Sequence, residues 1–389
     1  MTHPSYTYLI LGAGRQGTAA AYDLARFGDA SRIVLADVDP QVANQAAARV
    51  NHLVQQDVAR GLPLDVIAPD SLFALLSEAD GVLSAVPYYY NLKITKAAID
   101  AKTHYCDLGG HTGIVRQQLD LDSAAKEAGI SIVPDCGMGP GLIVTMASYV
   151  IDKFDMPEEI LLYDGGLPQK PQPPWNYQLT FHVNGLTNEM DGRAVYLREG
   201  QIAYVDTLTE PEFIDFPSVG KLEADVTSGG TSTSSWTFAG KLQRYENKTL
   251  RYPGHFEWLR AFKTLGLFSE QPMEVNGHSV TPRQVFHTLL EPQITSPQIE
   301  DLCVIRVVGK GQKGGIPAHV VVDLIDYYDP TTGFTAMERL TGWHSAIMLA
   351  FQARGEVAPG GSPVELAVKA EKFMQAIEQR GIHFEVRWE

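Results

Sequence analysis

Through the first third of the chain, short apolar runs alternate with alanine-rich amphipathic stretches. Leu9, Ile10 and Leu11 form the first run, and strands are further expected at 32–37, 64–68, 80–86, 103–108 and 130–134. The segments between them read as helices. One spans 18–27, one opens at Pro40, a favoured first helical position, and one is capped by Asp70 and runs to about residue 78. Another follows Tyr90 and ends near Lys102, and a fifth reaches Ala128, where Gly129 stops it. Strand and helix in regular alternation build a parallel sheet.

The alternation stops after a helix at about 141–154. Apolar periodicity then predicts strands at 160–163, 177–183, 194–197 and 202–205, with Glu199 and Gly200 turning a hairpin between the last two. A strand and loop run through 245–252, and Pro253-Gly254-His255 leads into an amphipathic helix ending near Leu267. Thr281-Pro282 opens another helix. The runs at 302–308 and 318–328 flank a glycine-rich 309–315 and read as a long antiparallel hairpin. Helical periodicity returns at 343–354 and 363–380.

The first apolar run breaks into Gly12-Ala13-Gly14-Arg15-Gln16-Gly17, a G-x-G-x-x-G spacing between strand and helix. In a dinucleotide-binding turn the first glycine permits the bend and the second lets backbone approach a pyrophosphate. The third lets helix and strand pack closely. The next strand ends in Asp37, where a carboxylate holds the adenosine ribose and repels a 2′-phosphate, so NAD is expected over NADP. The plain alternative is a turn and a strand end with no ligand.

The expected fold is α/β: a Rossmann dinucleotide-binding domain at 1–140 with a second α+β domain at 141–340, its sheet mixed or antiparallel. Helices at 341–389 are expected to pack back on the first domain. Ligands in such sheets sit beyond the carboxyl ends of the strands. The cofactor contacts expected there are Gly12, Gly14, Arg15, Gln16, Gly17, Asp37, Val86, Pro87, Asp107 and Leu108.

Composition narrows the partners. The 389 residues carry 31 basic and 46 acidic side chains, a formal net charge of −15. With no basic stripe, neither nucleic acid nor an anionic membrane is an expected partner. Cys106, Cys136 and Cys303 lie far apart without a C-x-x-C pair, which argues against a disulfide framework or a metal site. No run approaches the ~20 apolar residues of a membrane span, and the first run leads directly into the glycine turn rather than a cleavage site. A cytoplasmic location follows as the expectation. A homo-oligomer is the usual state of such enzymes, and the 302–328 hairpin is either core or subunit interface.

Seven stretches carry a more specific signal: GAGRQG, LADVD, CDLGGHTG (106–113), PDCGMGPG (134–141), YDGGLPQKPQPP (163–174), TSGGTST (227–233) and KTLRYPGH (248–255). In this order the chain resembles the saccharopine dehydrogenase family, most closely its lysine 6-dehydrogenase branch. SAVPYYYN (84–91) departs from that branch's pattern. The resemblance implies NAD-dependent oxidation of the ε-amine of L-lysine to 2-aminoadipate 6-semialdehyde, which cyclises to a piperideine carboxylate. The alternatives are a saccharopine or carboxynorspermidine type of dehydrogenase acting on a secondary amine, and a non-catalytic NAD-binding protein.

The chemistry asks for particular side chains. An amine with a pKa of about 10.4 must lose its proton before it gives up a hydride, and the iminium product needs an activated water. His255, His111 and Asp107 are the candidate bases, His255 first because histidine titrates nearest neutral pH. Each also has a structural reading, as a cap of a loop or helix. Arg251 suits the substrate carboxylate through two parallel hydrogen bonds, with Lys248 as the weaker choice. Thr231 and Ser232 are candidate donors to substrate, and Tyr88 a wall of the nicotinamide pocket. Cys136 reads as a small buried filler. A larger secondary-amine substrate would call on more cations, for which Arg193, Arg198 and Arg244 are available.

Overall fold

The computed structural model describes residues 5–389. The chain divides into two compact units. One comprises the chain up to Asp152, Ser232–Ser234 and Pro330–His383; the other comprises Lys153–Thr231, Ser235–Asp329 and Phe384–Glu389. The borders expected at 140 and 340 therefore move. Helix Leu142–Ile151, apolar on nearly every side and almost wholly buried, belongs to the first unit with Val364–Ala367 and Ala370–Glu378. The last strand, Phe384–Trp388, leaves the C-terminal segment to pair with a strand of the second unit.

The first unit is built on strands β1 (Tyr6–Leu11), β2 (Ala30–Asp37), β3 (Ala59–Pro63), β4 (Gly81–Ser84), β5 (His104–Asp107) and β6 (Ser131–Val133). Their order is β6-β5-β4-β1-β2-β3, every pair parallel, with Gly360–Gly361 added beside β6. Sequence order reverses between β1 and β4, the switch point at which such sheets open a crevice. Leu9, Leu11, Val34, Val82, Ile94 and Ile132 centre one apolar layer. Helix Ala336–Ala353 supports the unit from within and packs on helix Arg15–Phe27, where a Cβ on Gly342 would lie 2.8 Å from that of Ala19. It begins seven residues before the expected start because Thr335 and Glu338 form a reciprocal capping box.

Two expectations fail here for one local reason. Residues 64–68 form no strand: Ala68 N–H donates to the Asp65 carbonyl at 3.0 Å, turning the chain into helix Pro69–Leu76. The strand is instead β3, five residues earlier, and Ala68 occupies the cap with Asp70 inside the first turn.

The second unit contains β7 (Met156–Pro168), β8 (Arg193–Arg198), β9 (Gln201–Asp206), β10 (Glu212–Phe216), β11 (Gly220–Val226), β12 (Arg244–Arg251), β13 (Met273–Val275), β14 (His278–Val280), β15 (Asp301–Lys313) and β16 (Ile316–Tyr327). Its large sheet runs β10-β11-β12-β7-β15-β16 and ends in Phe384–Trp388, with β8 joining at β12 and β9 at β8. Among the described residues of this sheet only the β12–β7 pair is parallel, so the sheet is mixed, and β15–β16 is the long hairpin read from the sequence. Residues 177–183 are not a strand. Tyr177, Leu179 and Val183 turn inward with Leu186, Phe256 and Phe286 into a helical core, and His182 caps helix Val183–Glu189 through its Nδ1.

Candidate active site

In the first unit the three glycines have distinct jobs. Gly12 has φ +93°, and a Cβ there would fall 2.6 Å from the Ala85 carbonyl oxygen. A Cβ on Gly17 would fall 2.0 Å from the Gly12 oxygen. Gly14 is exposed and a Cβ there would meet nothing within 4 Å, which leaves space against the backbone. Gly14 caps helix Arg15–Phe27 without a side-chain bond, so its first-turn N–H groups face outward as an anion site. Asp37 stands beside the turn: its Oδ2 accepts from Ala13 N–H at 2.9 Å and its Oδ1 from Asp39 N–H at 3.0 Å. Ala85 N–H donates to the Leu11 carbonyl at 2.7 Å, which ties the Val86-Pro87 loop to the same edge. Arg15 is exposed, while the Oε1 of Gln16 is buried without a partner. A flexible glycine turn, a donor-rich helix end and a carboxylate at the next strand end fit a dinucleotide.

Asp107, at the end of β5, is fully buried and already satisfied. Its Oδ1 accepts from Gly109 N–H (2.7 Å) and Asp135 N–H (3.2 Å), its Oδ2 from Tyr105 Oη (2.9 Å) and Gln118 Nε2 (2.6 Å). Burial raises its pKa against those four donors. With four donors in place it anchors the strand-end loops, and the reading of Asp107 as general base is corrected. His111 is exposed and caps helix Thr112–Leu119 through Nδ1, which accepts from Ile114 N–H at 3.3 Å. Its ring stacks on Tyr88, centroids 5.7 Å apart, so both belong to the rim of these loops.

The residue the sequence reading passed over is Asp135. It follows β6 with φ 63°, a left-handed conformation for a non-glycine residue. Burial first, and then the neighbouring Asp107 charge, push its pKa up to about 7, opposed by the hydrogen bonds of Ser232 and Gly110. Ser232 donates its hydroxyl to Asp135 Oδ2, which places Ser232–Ser234 in the first unit. The hydroxyl assigned to substrate is thus engaged with Asp135, a correction for Ser232. The signal that was available is an acid at a strand end ahead of a glycine turn, PDCG. Cys136 is buried and its thiol pKa is raised by burial, as a filler requires.

In the second unit, register brings a set of polar groups to one sheet face. Asp164 on β7 lies opposite Thr249 on β12, and Arg251, Asn247 and Thr249 alternate onto that same face. Asn247 Nδ2 donates to Asp164 Oδ1 at 2.9 Å. Arg251 is 3% exposed; its Nη1 donates to the Leu250 carbonyl, its Nη2 lies 3.4 Å from Glu189 Oε2, and its Nε has no partner. Burial raises the pKa of Asp164, and partial desolvation raises that of Glu189, whose side chain stays 30% exposed, against the charge of Arg251 beside it. Tyr177 lies under the guanidinium at 5.2 Å and 4.8 Å from the ring of His255.

Three sequence assignments change in this unit. His255 is the first residue of helix His255–Thr264, its Nδ1–H donating to the Trp175 carbonyl at 3.2 Å. Burial and then the Arg251 charge take its pKa down to about 3, so it is neutral and is not a base titrating near pH 7. Lys248 points to the opposite sheet face, where Nζ reaches the Glu210 carbonyl (2.9 Å) and Glu212 Oε1 (2.8 Å). Thr231 donates to the Val195 carbonyl at 2.9 Å, a structural bond. Glu189 and Asp164 went unread because their significance lies in register and helix placement, although Asp164 stands inside YDGG.

The family model for the saccharopine dehydrogenase NADP binding domain matches residues 8–133, and that for the saccharopine dehydrogenase C-terminal domain matches residues 137–382. The chain belongs to the saccharopine dehydrogenase family. Among curated members, the Saccharomyces cerevisiae saccharopine dehydrogenase [NADP(+), L-glutamate-forming] is 23% identical over 67% of this chain and 60% of its own length. The chain thus spans about three fifths of that relative. The carboxynorspermidine synthase of Vibrio cholerae is 24% identical and aligns over 97% of this chain and 96% of that protein. The apo structure of the yeast saccharopine dehydrogenase (L-Glu forming) superposes with a TM-score of 0.80 at 19% identity, covering 99% of this chain and 100% of that one. It shows the family fold, a parallel dinucleotide-binding sheet followed by a mixed one. Among the described residues no cluster suited to a metal ion occurs, and no helix is long and apolar enough to cross a membrane.

Proposed function

We propose that this chain is an NAD-dependent dehydrogenase that oxidises the terminal primary amine of L-lysine to 2-aminoadipate 6-semialdehyde. The observation that carries the substrate class is Arg251, a buried arginine with an unpartnered Nε. One such cation suits a substrate with one carboxylate. The cofactor choice rests on Asp37, whose charge at the glycine turn favours ribose hydroxyls over a 2′-phosphate. In this reading Gly14 and the helix N-terminus hold the pyrophosphate, Gly12 and Gly17 shape the turn that presents them, and bound NAD supplies a hydride acceptor.

The chain's own residues supply the rest. Arg251 fixes the substrate by its carboxylate. Within the first unit, Asp135, with a pKa of about 7, is a carboxyl able to take up a proton at neutral pH. Ser232 and Gly110 orient that carboxylate. Asp107 positions the loops by bonding Gly109 and Asp135 through their backbone N–H groups.

A second reading, oxidation or reduction of a secondary amine, draws support from the names of the relatives, above all the carboxynorspermidine synthase that aligns nearly end to end. Such substrates present more carboxylates. Arg198 is clamped by Glu210 and Glu246, and Arg244 is bound to Glu246 at 2.8 Å, so neither has a charge to spare without losing a partner. NADH formation from L-lysine and NAD, with no oxo acid or second amine added, is the expected result. No turnover of lysine with turnover of saccharopine would replace the first reading by the second.

A further inference from the structure

Helix Pro282–Ile294, in the second unit, carries two apolar stripes. Phe286, Leu290 and Ile294 point into the helical core, as the 3.6-residue period requires of one face. Val285 and Leu289, four residues apart on another face, stay uncovered, Leu289 being 67% exposed. Beside this second stripe, residues 279–281 complete an open groove of about 300 Å³. Its lining includes Val280, Gln284 and Thr288 and, among the described residues, no charged side chain.

The hairpin that precedes this helix lacks support of its own. Its turn, Asn276-Gly277, has φ 52° and 80°, the left-handed pair that suits a tight two-residue hairpin. Among the described residues β13 and β14 pair only with each other, and an isolated two-stranded hairpin is marginal in water. Register sets Met273 opposite Val280 and Val275 opposite His278, so these four share one face, with Glu274 and Ser279 on the other. Met273 and Val275 are 52% and 43% exposed. A well-defined apolar hairpin and an apolar groove thus adjoin on one surface.

We infer that this surface is an interface between two copies of the chain, each hairpin seated in the other copy's groove. Because hairpin and groove adjoin, a two-fold axis through the patch serves both at once and closes the assembly. Thirteen exposed residues (271–279, 284, 285, 288 and 289) offer on the order of 1,000 Å², against the roughly 800 Å² per partner of a stable interface. Charge selects the partner. The chain carries a formal −15, so a basic foreign protein favours an acidic face, whereas two like-charged copies meet best where acid is scarce. The uncharged groove is such a place, with Glu274 turned to the hairpin's other face. The contact gives the hairpin and the second stripe the apolar cover that a single copy lacks. It needs nothing from the reaction proposed above.

The test is sedimentation equilibrium of the full-length protein, which is expected to show an even number of copies at micromolar concentration. Val275→Glu and Leu289→Glu each put a charge into the contact at a position open to water in the single copy, so circular dichroism should not change. Each should weaken self-association roughly 100-fold or more and halve the copy number. Cross-linking reads the same contact without disrupting it. Val275→Cys mixed with Leu289→Cys under oxidised glutathione should give a covalent dimer, and the native Cys106, Cys136 and Cys303 are buried. Mixing either with Glu78→Cys, an exposed position of the first unit, should not. A monomer at that concentration overturns the inference and leaves the groove to a foreign chain. An oligomer that survives both charge substitutions and gives no cross-link is built elsewhere, which overturns it equally.

Discussion

Ser232 donates its hydroxyl hydrogen bond to Asp135, a residue 97 positions earlier in the chain. That bond favours the ionised carboxylate, while burial and the charge of Asp107 favour the neutral acid, and the balance sits at about 7. As a proton acceptor Asp135 must be ionised, so kcat should rise with pH through about 7. Asp135→Asn is expected to lower kcat on the order of 100-fold and to abolish that limb. Ser232→Ala removes a bond that lowers the pKa, so the limb should move to higher pH. A pH–rate profile that Ser232→Ala leaves in place would take Asp135 out of the proton path.

Stability responds to the same group with the opposite sign. The folded-state pKa lies above the ordinary 3.8, so the folded protein binds this proton more tightly than the unfolded chain. The contribution of Asp135 is fully present below the ordinary value and is lost as pH rises through about 7. Urea unfolding across that window should show the decline in the unaltered protein and a flatter curve in Asp135→Asn. Equal slopes would mean that the carboxyl is not desolvated.

The proposed preference for NAD rests on Asp37. Its substitution by serine removes the charge that repels a 2′-phosphate and the acceptor of Ala13 N–H. Loss of hydrogen bonds to a charged group, about 1.5–3 kcal/mol, corresponds to a fall of roughly 10–100-fold in kcat/KM with NAD. NADP use should rise in the same variant. Initial rates with both cofactors measure the ratio, and a ratio unmoved by Asp37→Ser assigns selectivity elsewhere.

The glycine turn separates folding from binding. A Cβ on Gly17 would overlap the Gly12 carbonyl oxygen at 2.0 Å, so Gly17→Ala should destabilise the first unit by about 2 kcal/mol or more. A Cβ on Gly14 meets nothing within 4 Å, so Gly14→Ala should fold with a change of about 1 kcal/mol or less while weakening NADH binding. Denaturant midpoints and fluorescence titration with NADH give both numbers. Full NADH affinity in Gly14→Ala would show that the pyrophosphate does not approach there.

The legible parts of the fold were those written in local pattern. G-x-G-x-x-G between an apolar run and an alanine-rich helix needs only neighbouring residues, and β15–β16 is a hairpin whose partners adjoin in sequence. Strands β10 and β11 were missed because residues 212–226 alternate weakly and carry several charges. Residues 177–183 misled by the opposite route, their alternation being real but spent on a helical core. Arg251 was picked out by its motif, Asp135 and Glu189 by nothing local, because their raised pKa values come from desolvation that only the tertiary fold creates. The same burial turned His255 from the favoured base into a neutral acceptor.

Arg380 and Asp23 make the deepest ion pair of the first unit among those described, bidentate at 2.6 and 2.8 Å with side chains 5% and 1% exposed. The pair fastens the end of helix Ala370–Glu378 to helix Arg15–Phe27, the helix that follows the glycine turn. Arg380→Ala leaves the Asp23 carboxylate buried without its cation, and about 3–5 kcal/mol of stability should be lost. Burial already raises the pKa of Asp23 against the pull of Arg380, so removing the arginine raises it further. The penalty should then grow as pH rises and ionisation is forced, and shrink as pH falls and the carboxyl takes up a proton. The double variant Asp23→Asn, Arg380→Met should recover much of the loss, since it buries no charge. Arg380 also lies over the Phe27 ring at 4.5 Å. A penalty independent of pH and unrelieved by the double variant would trace the loss to that stacking contact and not to the charge.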